Sequence, residues 1–157
     1  MNSNAITKNL ARQLRQVYFG GNWTAVNLKE TLADVDLNMA LQQKEGFNTI
    51  AILVFHINYF LEVVIPFLKG GPLEGNDKLS FDHPPINSEE QWKLMVANAL
   101  ERAEELASLI ENLPDDKLDD VFVDPKYGTY YRNFSGIIEH THYHLGQIVY
   151  LKKMLTS

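Results

Sequence analysis

"IAILVFHINYFLEVVIPFL", residues Ile50–Leu68, is the stretch whose reading decides the fold. It is about as long as a bilayer-spanning helix. It also carries His56, Asn58, Glu62 and Pro66, and polar or charged groups are costly in lipid. The membrane reading therefore yields to a central bundle helix, apolar on most sides because most sides are covered. Asn48 is the expected N-cap, with Phe47 stapled onto Ile52, so the helix is expected over about Thr49–Leu68. "KGGP" at 69–72 ends it.

Three further helical periods surround this one. The first covers about Asn4–Phe19, with Ile6, Leu10, Leu14 and Val17 on one stripe and Gly20–Gly21 as its stop. A loop follows, with one short helical turn expected near Leu28–Leu32. Another helix starts at Ser88, where Ser88 and Gln91 fit a capping box and Glu89 and Glu90 suit the helix dipole. Its expected buried face is Trp92, Val96, Ala99, Ala103, Leu106, Ile110 and Leu113, and "LPDD" at 113–116 stops it. The last helix covers about Asn133–Leu155. Between them, "VFVDPKYGTYY" at 121–131 predicts a small β-hairpin turned by Pro125 and Gly128. The long 68–88 connection is either a lid or a strut along the bundle. With no repeat or linker, the expectation is an all-α four-helix bundle in one domain, 1–157, with a small β-hairpin before the last helix.

Composition narrows the function classes. Hydrophobic residues make up 45% and charged residues 22% of the chain, as in ordinary globular domains. The net charge is −6, and the basic residues form no run or stripe. Nucleic acid is therefore not an expected partner, because binding it depends on clustered Lys and Arg. The absence of cysteine excludes disulfides, thiolate metal ligands and a protein thiol nucleophile. "MNSNAITKNLARQ" has neither an apolar run nor a small-residue cleavage site, so no secretory signal is expected, and a cytoplasmic location is.

The chemistry concentrates in "IIEHTHYHLGQI", residues 137–148, which holds three of the five histidines. Helical residues four apart share a face and residues two apart diverge. His140 and His144 therefore point together, on the side of Phe134, Ile137, Thr141, Ile148 and Leu151, and His142 points away. His56 lies among Ile52, Leu53, Tyr59, Phe60 and Val63 on the central helix. Two facing helices can bring these three imidazoles to one point, as bundle metal sites do. Neutral imidazole suits zinc, nickel, copper or ferrous iron, and three protein ligands leave a position open. Such an ion can bring a bound water to a pKa of about 7 or stabilise a thiolate. Satisfied core histidines are the competing reading. His83, in "FDHPPI", reads as a loop residue with only a weak claim to a ligand or lid role.

Two familiar metal patterns fail. A zinc-protease helix reads H-E-x-x-H, but Thr141 follows His140 here. A di-iron carboxylate bundle needs a Glu-x-x-His pair on each of two helices; only Glu139–His142 is present. Glu139 itself lies about a quarter turn from His140 and is not the expected general base.

"EHTHYHLGQI" resembles the signature of the DinB/YfiT-like superfamily, in which a last-helix H-x-x-x-H is followed closely by Gly-Gln. His140 and His144 match the two histidines, and Gly146–Gln147 follow. "FNTIAILVFHINYF" resembles the second-helix motif of that family, and His56 matches its metal-site histidine. Trp23 and "SEEQWK" at the start of the third helix are also similar, so the resemblance spans nearly the whole chain. It implies a four-helix bundle, usually dimeric, with a metal at one end. Some relatives are thiol-dependent S-transferases or isomerases that use a low-molecular-weight thiol. Many are called metal-dependent hydrolases without a known substrate. The expected function is a metal-dependent enzyme, hydrolase or thiol S-transferase, with zinc or nickel on His56, His140 and His144 and a small-molecule substrate. A non-catalytic metal-binding or stress-related bundle is the alternative. Asn58, Tyr59, Tyr130 and Tyr131 are candidates for shaping the site, with Tyr59 the expected neighbour of His56. Their alternative role is plain packing.

Overall fold

The computed structural model describes residues 3–157. Met1 and Asn2, which begin the expected domain and the segment read for a secretory signal, lie outside the described residues. The elements in chain order are α1 (Ala5–Phe19), α2 (Leu28–Leu32), α3 (Leu37–Leu41), α4 (Ile50–Leu68), α5 (Glu89–Glu111) and α6 (Tyr130–Thr156). Three short 3-10 turns lie in the connections, at Asp77–Leu79, Asp115–Asp119 and Pro125–Tyr127. The four long helices close a ring: α1 packs on α5, α5 on α4, α4 on α6 and α6 on α1.

The central stretch behaves as its pattern demands. α4 is long and apolar enough to cross a membrane by length and composition. Here it packs against α3, α5 and α6 and buries Ile50, Leu53, Val54, Ile57, Leu61, Val64 and Ile65 together with His56 and Asn58. Its N-cap is Thr49, not Asn48: the Thr49 hydroxyl accepts from the Ile52 N–H at 3.1 Å. Phe47 is half exposed rather than stapled inward. At the other end Gly70 takes φ +93°, which a side chain would disfavour. Gly71 N–H then reaches Pro66 C=O and Gly70 N–H reaches Phe67 C=O, both at 3.0 Å. This paired closure satisfies carbonyls the helix end would otherwise orphan.

α1 buries Leu10, Leu14 and Val17, but Thr7 takes the inward place expected for Ile6, which is exposed. The cause lies across the chain. Asn4 makes no side-chain cap; Asp115 caps α1 instead, accepting from the N–H groups of Ile6 and Thr7 at 2.9 Å each. α5 has the expected N-cap, with Ser88 Oγ accepting from Gln91 N–H at 3.1 Å, but the Gln91 side chain accepts from the Asn87 N–H at 2.7 Å and not from that of Ser88. The helix buries Trp92, Ala99, Ala103, Leu106 and Ile110. The indole N–H of Trp92 donates to the Val35 carbonyl at 2.7 Å. Glu89 accepts from the Leu37 N–H at 2.8 Å. These two bonds tie the 22–46 segment to α5.

The expected β-hairpin is absent. Among the described residues there is no strand; Val121 and Thr129 form one isolated antiparallel bridge. Asp124 caps a 3-10 turn through Lys126 N–H, and Thr129 caps α6, so Tyr130 and Tyr131 are already helical. Phe122 packs instead into an aromatic cluster with Phe67, Tyr130 and Phe134, with neighbouring ring centroids 4.9–6.3 Å apart.

Candidate metal centre

α4 and α6 lie side by side, and the helical spacing does the rest. His140 and His144 sit one turn apart on the α6 face that meets α4, and His56 faces them from the middle of α4. The Nε2 atoms of His56 and His140 are 2.9 Å apart, and those of His140 and His144 are 3.1 Å apart. The three residues each offer one ligand atom, all within 4.8 Å of one another. His56 and His144 are buried and His140 is half-buried.

The outer bonds fix which nitrogen points inward. Ser80 Oγ donates its only hydrogen to the Asp77 carbonyl at 2.7 Å. It therefore accepts from His56 Nδ1–H, 3.0 Å away. His144 Nδ1–H donates to Gln147 Oε1 at 2.7 Å. Both rings thus turn an unprotonated Nε2 towards His140. A proton on His140 Nε2 can satisfy only one of these two lone pairs well; a cation at the centre can satisfy all three nitrogens. Bonds from the far ring nitrogen to protein acceptors are also what orients histidine ligands generally.

Electrostatics keeps the rings ready. Burial, followed by the proximity of His144, pushes His56 down to about 4. Burial and the neighbouring His144 and His56 push His140 down to about 4. Burial also lowers His144, against the opposing hydrogen bond that it donates to Gln147. The set is therefore neutral at pH 7, the form in which imidazole donates to a metal.

Aromatic rings wall the cluster. Phe81 stacks on His56 with centroids 3.8 Å apart and planes 12° apart. Phe60 stands edge-on to His56 and His140, at 5.2 and 5.0 Å. Tyr143 stands edge-on to His144 at 4.9 Å. The 68–88 connection thus reaches the centre through Ser80 and Phe81. Nothing in the periodicity marked these two, since only tertiary closure sets their position. Phe60 and Gln147 were visible in the sequence, Gln147 as part of the Gly-Gln pair.

The expected auxiliary residues lie elsewhere. The Tyr59 hydroxyl bonds both the N–H and the C=O of Asn76, at 2.7 and 3.0 Å, and ties the connection to α4. Asn58 is buried against Glu62. Tyr130 belongs to the aromatic cluster with Phe122, and Tyr131 is exposed. Glu139 is exposed beside Arg132. His83 bonds the Pro84 carbonyl. His142 lines a separate groove with Trp23 and Tyr150.

The model of the DinB superfamily matches residues 3–148 of the 157. The chain belongs to the DinB superfamily. The DinB match takes in His56, His140 and His144, and also Ser80, Phe81 and Gln147, which surround them. No curated protein and no solved structure matches the chain.

Proposed function

We propose that this DinB-superfamily chain is a metal-dependent enzyme, a hydrolase or a thiol S-transferase, with His56, His140 and His144 as the ligands of a zinc or nickel ion. One observation carries the reading: three neutral imidazoles converge, and two of them are locked with a bare Nε2 facing inward. A divalent ion held there supplies a Lewis acid that makes water or a small thiol a competent nucleophile near neutral pH.

The chain's own residues do the positioning. Ser80 and Gln147 hold the rings of His56 and His144, while Phe81 and Phe60 keep water from the flanks. Among the described residues no carboxylate joins the cluster, so the ligand set brings no negative charge and leaves the ion's charge undiminished. Any thiol must arrive with a substrate, because the chain has no cysteine. The closed ring of four long helices supports the four-helix-bundle reading. A cytoplasmic homodimer acting on a small molecule, with no nucleic-acid or membrane partner, completes the proposal.

The test uses untagged protein, metal-stripped protein and His140→Ala. Each is assayed against activated esters and amides, and against a generic electrophile with a panel of small thiols. Thiol-dependent turnover lost in both altered forms supports transfer; thiol-independent hydrolysis lost in both supports a hydrolase. Metal-loaded protein inactive in both panels counts for a non-catalytic metal-binding bundle.

A further inference from the structure

A cleft of about 310 Å³ opens beside the histidines, between α4, the first half of α6 and the Pro125–Tyr127 turn. This is the size of a small-molecule site. His140 lines it, together with the apolar side chains of Phe60, Val64 and Ile137. Arg132, which is exposed, and the half-buried Asn133 line it as well. The residues lining it include one cation and no carboxylate, in a chain whose net charge is −6.

Two details mark the cleft as more than a gap in packing. The first is Gly136, which lines it in the interior of α6. Glycine inside a helix costs about 1 kcal/mol relative to alanine. No backbone need is visible, since Gly136 is not among the residues of positive φ. Nor does packing require it: the nearest atom to a Cβ placed there is Arg132 Nη1, at 3.8 Å. What the missing side chain does is keep the floor open between Arg132 and His140.

The second detail is the placement of Arg132. That same 3.8 Å sets its guanidinium level with Gly136, one helical turn or about 6 Å along the axis from His140. Its one carboxylate partner among the described residues, Glu139, lies 3.4 Å from the same Nη1, and both side chains are about two-thirds exposed. An exposed pair of that length is weak, so the guanidinium's remaining donors are free to take an incoming anion.

We infer that this cleft is the substrate subsite and that it selects a small anionic molecule. Arg132 takes a carboxylate, Phe60, Val64 and Ile137 hold an apolar body, and the reacting end lies at His140. A carboxylate matches the planar fork of the guanidinium, which lysine does not reproduce. The inference rests on the enzymatic reading above but concerns residues that hold no metal, so the two can fail separately.

The experiment titrates 3-phenylpropionate and its uncharged counterpart, 3-phenylpropionamide, into the full chain with and without zinc, reading backbone amide chemical shifts. Wild type is expected to bind the carboxylate more tightly than the amide, with shifts at Phe60, Gly136 and Ile137. Arg132→Gln should weaken the carboxylate about tenfold, as loss of a charge-assisted bond does, and leave the amide within about twofold. Arg132→Lys should recover part of the loss. Gly136→Leu should weaken both probes by filling the floor. Equal effects of Arg132→Gln on both probes, or none on either, overturn the inference. So do shifts confined to other faces, or no binding of either probe at about 10 mM, well above a weak Kd of about 1 mM. Zinc uptake by wild type with no charge-dependent binding removes the subsite and leaves the metal centre. Charge-dependent binding without zinc uptake does the reverse.

Discussion

α4 and α6 are joined at two places, and the two joints are built on opposite principles. Near the start of α6, Phe67 of α4 meets Phe122 and Tyr130, which in turn pack on Phe134, in a cluster of tilted and edge-to-face rings. That joint is complete with the chain's own atoms. About three turns away, His56 meets His140 and His144. There the polar groups converge like on like, a joint that a cation held between the rings would complete. The first kind of contact supplies stability whatever the solution contains; the second, on the proposed reading, would make part of the stability conditional on a bound ion.

The sharpest way to break this contrast is to empty the aromatic joint. Phe134 is fully buried, and Phe134→Ala should cost about 3–5 kcal/mol. Urea denaturation should show the same loss with and without chelator. A loss that depended on chelator would mean that the two joints are not separate.

Next in size is the histidine joint. Zinc at about a hundredfold its Kd should stabilise the wild type by about 2.7 kcal/mol through mass action. His144→Ala should gain almost nothing, and chelator should leave its melting temperature nearly unmoved. His142→Ala, on the far side of the helix, should respond to zinc like the wild type. Equal metal loss in both variants would overturn the assignment of faces.

A smaller effect tests the outer bonds. Ser80→Ala and Gln147→Ala each free one ring to turn, and either should lower metal affinity by about 10–100-fold without unfolding the protein. Competition with a coloured chelator measures this directly. Unchanged affinity in both would show that the rings are held by packing alone.

The smallest effect belongs to the cap of α1, a third kind of joint that answers to pH. Desolvation pushes the Asp115 carboxyl up, but bonds from the Thr7 and Ile6 N–H groups and the Ser3 hydroxyl together bring it down to about 2, from 3.8. Its folded-state value lies below the unfolded one, so its contribution is fully present above pH 3.8 and is lost as pH falls towards 2. Asp115→Asn should flatten that part of the melting-temperature profile. An acid limb identical to that of the wild type would assign the loss to other carboxylates.

Much of this was legible in the sequence because helical periodicity reports which residues share a face. It placed α1, α4 and α5 to within a residue or two, and it separated His142 from His140 and His144. What it could not convey came from contacts distant in the chain. Thr7 displaces Ile6 from the interior because Asp115 reaches α1 from more than a hundred residues away. Ser80 and Phe81 reach His56 from a connection with no period to read. The 121–131 stretch misled for a different reason. Its alternation and turn residues suggest a hairpin, but Phe122 packs on rings from α4 and α6, and no second strand forms against it.

The two tryptophans turn the architecture into an optical instrument. Trp92 is 1% exposed and bonded to Val35, whereas Trp23 is fully exposed beside the groove of His142 and Tyr150. Their emission should separate by colour and by quencher access. The blue, iodide-resistant component follows the docking of the 22–46 segment on α5, and the red component follows events at the outer face of α6. A single fluorescence trace thus carries two reporters on opposite sides of the same folding reaction.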